Sequence, residues 1–220
     1  MERAKKGLLI FDLDGTIADT LYSIMEAVNM CMEHYGFPLK TYDEVRAAVG
    51  GGAKKLIMKT MPQSEAENVE RAEEIYRYFQ SCYDLTHAHI DGCYDGMHEA
   101  MLELHERGYA LAVLSNKPDA YVKNIISTLF DKEIIPIAMG ETDLPRKPDP
   151  TAALYIAKAL GFEAEECAFV GDSEVDIRTA QNSGMTSVAV SWGFRDREAL
   201  LSCVPDHIID LPQKLLEIFE

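Results

Sequence analysis

The stretch Leu8-Leu9-Ile10-Phe11-Asp12-Leu13-Asp14-Gly15-Thr16 decides how the rest of the chain is interpreted. Four apolar residues followed at once by acidic residues and a glycine indicate a buried strand whose carboxyl end delivers Asp12. Three other apolar runs also end in polar or glycine residues, namely residues 110–114, 167–170 and 186–190. Continuous apolar strands are typical of parallel sheets covered on both faces. The sequence therefore predicts a parallel sheet with polar groups along one edge.

Helical patterns separate these strands. Apolar residues recur at spacings of three and four in residues 96–107, 119–130, 150–160 and 174–183, and glycines stand at three of the expected C-caps, Gly108, Gly161 and Gly184. Weaker strand patterns cover residues 134–138 and 207–209. The alternation of strands and helices predicts an α/β fold with a Rossmann-like, doubly wound parallel sheet.

The section between the first two strands differs from the rest. It has helical patterns in residues 20–35, 41–49, 53–61 and 63–85 and no convincing strand. We therefore expect an all-helical cap domain at residues 17–88, inserted into a Rossmann-like core domain of residues 1–16 and 89–220.

Composition narrows the choice of partners. The 220 residues carry a formal net charge of -16, and such a surface repels a nucleic-acid backbone. Five cysteines, none in a Cys-x-x-Cys pair, fit reduced thiols in a cytoplasmic protein. No apolar run is long enough for a membrane span, and the start of the chain does not have the form of a signal peptide. We expect a cytoplasmic protein that acts on a small molecule, without nucleic-acid or membrane partners, as a monomer or homodimer.

The carboxyl ends of parallel strands meet at one sheet edge, where α/β proteins bind their ligands. The groups predicted to meet there are Asp12, Asp14, Ser115, Asn116, Asp172 and Asp176. Four carboxylates repel one another unless a cation lies among them, and oxygen ligands of this kind suit Mg²⁺. Lys147 stands in Arg146-Lys147-Pro148-Asp149-Pro150, where two prolines fix the backbone and so direct its ammonium group.

The four segments resemble the four motifs of the haloacid dehalogenase superfamily of phosphohydrolases. The run from Asp12 to Thr16 matches the first motif, and Ser115 matches the second. Lys147 in Lys-Pro-Asp-Pro matches the third, and Gly171-Asp172-Ser173-Glu174-Val175-Asp176 matches the fourth. The motifs span the chain in the family's order. The helical insert lies where the family's smaller cap type lies.

The resemblance implies a phosphoric monoester hydrolase with an aspartyl-phosphate intermediate. Asp12 attacks phosphorus as a carboxylate, which needs no base at pH 7. Asp14 protonates the leaving alcohol and then deprotonates the attacking water. The resemblance assigns Mg²⁺ to the Asp12 carboxylate, the Asp14 carbonyl, Asp172 and Asp176, the last either directly or through water. The implied phosphate-binding residues are Gly15, Thr16, Ser115, Asn116 and Lys147, of which Ser115 and Lys147 also count as catalytic.

Weaker features resemble phosphoglycolate phosphatases. They are Val49-Gly50-Gly51-Gly52-Ala53-Lys54-Lys55-Leu56, Ser115-Asn116-Lys117-Pro118 and Ser191-Trp192-Gly193-Phe194. Gly51, Gly52 and Lys54 are candidates for binding a small carboxylate, because amides that open a helix attract anions. A plain helix-start turn with solvated lysines explains the same residues equally well. The other interpretations left open are a sugar-phosphate phosphatase, a pyrophosphatase, a nucleotidase, a β-phosphoglucomutase-like mutase, and an inactive domain that binds phosphate ligands or a protein partner.

Overall fold

The structure is a computed structural model that describes residues 6–90 and 92–220. Residues 1–5, on which the signal-peptide prediction partly rests, lie outside the described residues. The described chain divides into two compact units, one within Met1–Asp19 and Gly92–Glu220 and the other within Thr20–Asp91. We call them the core unit and the helical unit.

The core unit contains one parallel sheet. Its strands are β1 (Leu8–Phe11), β2 (Ala110–Pro118), β3 (Ile137–Glu141), β4 (Cys167–Gly171), β5 (Thr186–Val190) and β6 (His207–Ile209). Their order is β3-β2-β1-β4-β5-β6, and every neighbouring pair is parallel. The predicted Rossmann-like α/β fold is confirmed. The strand order reverses around β1, which lies between β2 and β4, and this is where ligands bind in such sheets.

The described part of the helical unit contains five helices, α1 (Leu21–His34), α2 (Tyr42–Ala48), α3 (Ala53–Thr60), α4 (Gln63–Glu67) and α5 (Val69–Thr86). The pattern in residues 63–85 predicted one helix, whereas the structure has two. Asn68 causes the break, because it has an extended backbone and its Oδ1 accepts a hydrogen bond from Arg71 N at 3.1 Å as the N-cap of α5.

The core unit has six further α-helices among the described residues. They are α6 (Met97–Glu106), α7 (Asp119–Leu129), α8 (Thr151–Leu160), α9 (Glu174–Ser183), α10 (Arg197–Ser202) and α11 (Leu215–Ile218). The short α10 and α11 were not predicted, because each offers too few turns for an apolar period to emerge. Strand β3 begins three residues later than predicted, because Ile134 N and Ile135 N bond to Asp131 O in a turn that precedes it.

The boundary between the units also differs from the prediction. Residues 17–19 belong to the core unit, not to the insert. The cause is backbone pairing, since Tyr94 N donates to Ile17 O at 2.9 Å and Ala18 forms bridges with Asp14 and Cys93. The chain therefore leaves and re-enters the core unit through paired backbone.

The apolar side chains of the central strands are buried, as their sequences predict. Ile10 of β1 and Phe169 of β4 pack in one cluster with Ala153 and Ile156 of α8. Such burial stabilises by roughly 1.5–3 kcal/mol for each large side chain. Along the described ranges, no helix combines the length and the apolar character needed to cross a membrane.

Candidate active site

Three buried carboxylates meet beside the carboxyl ends of β1 and β4. Asp12 follows β1 directly, Asp172 follows β4, and Asp176 lies in the first turn of α9. Each offers a ligand oxygen, and these oxygens all lie within 4.8 Å of one another. Adjacent parallel strands thus bring residues 160 positions apart in the chain to a single point at the edge of the sheet, as the sequence predicted for this edge.

Lys147 is the cation of this cluster. Its Nζ lies 2.9 Å from Asp12 Oδ1 and 2.7 Å from Asp176 Oδ1, and its side chain is only 2% exposed. Burial alone would lower the pKa of this ammonium group, but Asp12 and Asp176 outweigh burial and raise it. The side-chain amide of Asn116 fixes the Lys147 backbone, because it donates to Lys147 O and accepts from Lys147 N, both at 3.0 Å.

Asp176 is held by the start of its own helix. Its Oδ2 accepts from Ser173 N at 3.1 Å and from Ser173 Oγ at 2.5 Å, as in a capping box. Oδ1 therefore remains directed to Lys147. Gly171 makes this packing feasible, since a Cβ there would collide with the Asp176 side chain.

Asp172 is enclosed by backbone. Phe194 N donates to its Oδ2 at 2.6 Å. A Cβ on Gly15, whose φ is +85°, or on Gly193 would collide with the Asp172 side chain. The turn after β1 and the loop after β5 therefore close on this carboxylate from two sides, and Trp192 Nε1 links them by donating to Thr16 O at 3.1 Å.

The electrostatics of the cluster favour added positive charge. Burial raises the pKa of Asp12 to about 7, with added repulsion from Asp176 and Asp14 and against the attraction of Lys147. Burial, followed by repulsion from Asp176 and Asp12, raises the pKa of Asp172 well above its ordinary value. Buried carboxylates that resist ionisation and offer only oxygen donors fit a hard divalent cation such as Mg²⁺.

Asp14 lies at the rim of this cluster and has a cation of its own. Its Oδ1 accepts a hydrogen bond from Lys117 Nζ at 2.7 Å, and the two side chains are 14% and 4% exposed. Lys117 belongs to the run Ser115-Asn116-Lys117-Pro118 but is not among the site residues predicted from the sequence. Its position two residues after Ser115, beyond the apolar run of β2, was the available signal.

The remaining predicted phosphate-binding residues are distributed over both units. Ser115 is buried at the end of β2, where its Oγ accepts from Lys117 N at 3.4 Å. Thr16 is fully buried, and its Oγ1 has no hydrogen-bond partner in residues 6–90 or 92–220. Gly51, Gly52 and Lys54 belong to the helical unit, where Lys54 Nζ forms an ion pair with Glu73 at 2.6 Å. Phosphate or substrate binding by all these residues stays a prediction.

Comparison with known families agrees with the four motifs. Residues 9–190 match the family of haloacid dehalogenase-like hydrolases. The chain belongs to this family. Curated relatives of this hydrolase include the phosphoglycolate phosphatase of Vibrio cholerae, which is 31% identical over 216 residues covering 96% of each chain. Phosphoglycolate phosphatase 1 of Pseudomonas aeruginosa is 30% identical over 213 residues, which cover 95% of this hydrolase and 78% of the relative.

Solved structures share the fold of this hydrolase. A crystal structure of a predicted phosphoglycolate phosphatase from Haemophilus somnus has a TM-score of 0.90 and 26% identity, covering 99% of this chain and 100% of the other. A putative phosphoglycolate phosphatase from Lactobacillus delbrueckii has a TM-score of 0.87 and 29% identity, covering 98% and 99%.

The raised pKa of Asp172 predicts a pH-dependent loss of stability without metal. In the unfolded chain Asp172 loses its proton near pH 4, whereas in the folded protein it keeps that proton to a higher pH. The free energy of unfolding therefore falls as the pH rises above about 4. Asp172→Asn should remove this penalty. In EDTA at pH 8 we expect its Tm to exceed that of the wild type by a few degrees, the shift that about 1 kcal/mol produces in a chain of this size.

Thermal unfolding at pH 5 and pH 8 measures this difference, which should shrink at pH 5. Mg²⁺ should raise the Tm of the wild type at pH 8 and have a much smaller effect on the variant. The exposed Asp210 provides a control, since Asp210→Asn should leave both responses unchanged. A Tm for Asp172→Asn that is equal to or below the wild-type value at pH 8 would contradict the expected cost of ionising the buried Asp172.

Proposed function

We propose that this hydrolase is a Mg²⁺-dependent phosphatase that acts on a small phosphate monoester through an aspartyl-phosphate on Asp12. The observation that carries the proposal is the buried group of Asp12, Asp172 and Asp176, with Lys147 bonded into it and Asp14 at its rim. The group supplies a nucleophile, oxygen ligands for a cation and a proton carrier within one small volume. These are the requirements of phosphoryl transfer, in which positioning and charge stabilisation dominate.

In the first step, a carboxylate oxygen of Asp12 attacks phosphorus while the bond from phosphorus to the leaving oxygen breaks. The proton of the Asp14 carboxyl group passes to that leaving oxygen, so the alcohol departs neutral. Asp12 must be ionised to attack. Burial raises the pKa of Asp12 to about 7 even with Lys147 beside it, and the positive charge of a bound cation would favour the ionised form further.

In the second step, the Asp14 carboxylate takes a proton from a water molecule that attacks the phosphorus of the aspartyl-phosphate. The bond between phosphorus and the Asp12 oxygen then breaks, which releases inorganic phosphate and restores both carboxyl groups. Ser115 Oγ, the main-chain N–H of Asn116 and Lys147 Nζ hold the phosphoryl oxygens. Gly15 and Thr16 form the turn beside them. Roles that alternate between acid and base suit a carboxyl group at the rim of the site.

The cation completes the site. We assign Mg²⁺ to the carboxylates of Asp12 and Asp172 and to the main-chain carbonyl of Asp14, with Asp176 contributing directly or through water. When bound, the ion supplies positive charge beside the transferring phosphoryl group.

Phosphoglycolate is the substrate that we favour. The support is the similarity over nearly the full chain to curated phosphoglycolate phosphatases at about 30% identity. Lys54, in the first turn of α3, is the candidate for binding the substrate carboxylate. It is half exposed and paired with Glu73, and such surface pairs contribute only about 0–1 kcal/mol, so an anionic substrate can displace the partner at little cost.

An assay of phosphate esters with and without Mg²⁺ tests the proposed activity. The panel contains phosphoglycolate, p-nitrophenyl phosphate, a hexose phosphate, a nucleoside monophosphate and pyrophosphate. We expect release of inorganic phosphate only with Mg²⁺ and the highest kcat/KM with phosphoglycolate. Steady release without a bisphosphate activator separates the phosphatase from a mutase. Turnover that is unaffected by EDTA would contradict the proposed metal site. A higher kcat/KM with another ester would rule out phosphoglycolate as the preferred substrate.

The nucleophile is tested by Asp12→Asn. An amide oxygen is a poor nucleophile, so we expect kcat to fall by a factor of at least about 10³ while the circular dichroism spectrum stays unchanged. Asp210→Asn, at an exposed site, is the matched control and should keep full activity. Hydrolysis by Asp12→Asn at a rate near that of the wild type would rule out the aspartyl-phosphate mechanism.

The carboxylate-binding role is tested by Lys54→Met. If Lys54 binds the substrate carboxylate, KM for phosphoglycolate should rise about tenfold, since a charge-assisted contact of roughly 1.5 kcal/mol is lost. KM for p-nitrophenyl phosphate, which has no carboxylate, should stay within about twofold. Lys59→Met, which removes an exposed lysine of the same helix, is the control. An equal change in KM for both esters would rule out the assignment.

A further inference from the structure

Lys117 is a buried cation that none of the four motifs includes. Its side chain is 4% exposed, and its Nζ donates to Asp14 Oδ1 at 2.7 Å. Burying an ammonium group costs free energy unless a partner of opposite charge compensates the lost hydration. The burial of Lys117 therefore indicates a specific role for its charge. The partner is the carboxyl group to which the proposed function assigns both proton transfers.

A bulge in β2 sets the position of Lys117. Leu114 pairs with Met139 of β3, and the next pair is Pro118 with Glu141. Four positions on β2 therefore span only two on β3, and the residues between leave the regular alternation of the strand. Bulges of this kind redirect side chains, often next to active sites. The three redirected residues are Ser115, Asn116 and Lys117.

The backbone around Lys117 is closely packed. A Cβ on Gly140 of β3 would lie 2.5 Å from Lys117 O and 2.5 Å from Asp119 Cα. Gly140 N also donates to Asp119 Oδ1 at 2.9 Å. The strand that neighbours β2 thus touches the backbone on both sides of Pro118. The Lys117 side chain therefore extends from a fixed point, as the support of a catalytic group requires.

We propose that Lys117 is a positioning residue that holds the Asp14 carboxyl group in the orientation for proton exchange with the leaving oxygen. The inference rests on the proposed function, since it presumes that Asp14 is the proton carrier. With Oδ1 bonded to Lys117, rotation of the carboxyl group would break a charge-assisted hydrogen bond. We assign proton transfer to the second oxygen, Oδ2. Lys147 and Lys117 then have separate tasks, because Lys147 contacts Asp12 and Asp176 and Lys117 contacts Asp14.

Esters that differ only in the leaving group test this role. The constant kcat/KM reports the steps through departure of the leaving group and is independent of the later attack by water. p-Nitrophenolate departs without protonation, whereas the alkoxides of phosphoglycolate and 2-hydroxyethyl phosphate need a proton. For Lys117→Met we expect kcat/KM to fall about 10- to 100-fold with both alkyl esters, a part of the 10²–10⁴ that a general acid supplies. With p-nitrophenyl phosphate it should stay within about threefold.

Three further variants sharpen the comparison. Lys117→Arg keeps the charge and should recover part of the loss. Lys158→Met, which removes an exposed lysine on α8, should change nothing. In a background of Asp14→Asn, Lys117→Met should have no additional effect on the alkyl esters, since a positioning residue acts only through the group that it positions.

Several outcomes would overturn the inference. An equal loss with all three esters would indicate general damage to the site. A loss confined to phosphoglycolate would make Lys117 a ligand of the substrate carboxylate instead. A loss that persists in the Asp14→Asn background would show that Lys117 acts without Asp14.

The hydrogen bond between Lys117 and Asp14 can be tested without measuring turnover. Urea unfolding of the two single variants and the double variant measures their coupling, which should be clearly favourable for the wild-type pair. Absent coupling would overturn the inference even in an active enzyme. Favourable coupling in a protein that hydrolyses none of the esters would instead refute the proposed function and leave only the structural contact.

Discussion

The site is governed by the repulsion among carboxylates gathered at one edge of the sheet. Asp12, Asp172 and Asp176 are all nearly inaccessible to water, and an uncompensated buried charge is among the costliest features a protein can hold. Lys147 compensates part of this charge. In the protein without metal, protons compensate the rest, which is the physical meaning of the raised pKa values of Asp12 and Asp172. The proposed divalent cation would compensate the same charge and leave Asp12, the proposed nucleophile, unprotonated.

Close backbone packing keeps this unfavourable arrangement in place. Gly15 and Gly193 approach Asp172 where no side chain fits, and Gly171 does the same for Asp176. The loops after β1, β4 and β5 therefore interlock around the carboxylates, and Trp192 bonds one loop to another. Because β1, β4 and β5 are also the most buried part of the sheet, the hydrophobic core and the site form one continuous structure. The burial of the core opposes the electrostatic cost of the site.

The sequence predicts most of this arrangement because its main signals are local. Apolar runs predicted β1, β5 and β6 with their observed bounds, and the residues that follow each run identified the edge of the sheet. The predictions failed where one local group or a distant pairing decides the outcome. Asn68 divides a helix that looked continuous, and the pairing of Ala18 with Cys93 moves a domain boundary. Neither the helix break nor the bridge changes the spacing of apolar residues, from which the helices and strands were predicted.

Lys117 was not predicted as a site residue because its position also depends on a distant pairing. Whether β2 ends at Leu114 or bulges and continues depends on its pairing with β3, which is distant in sequence. The bulge gives three consecutive residues three tasks. Ser115 is a proposed phosphate-binding residue, Asn116 fixes the backbone of Lys147, and Lys117 forms a hydrogen bond with Asp14. One irregularity in one strand therefore positions both buried cations, so the proposed nucleophile, Asp12, and the proposed acid, Asp14, share a support although their charge partners are separate.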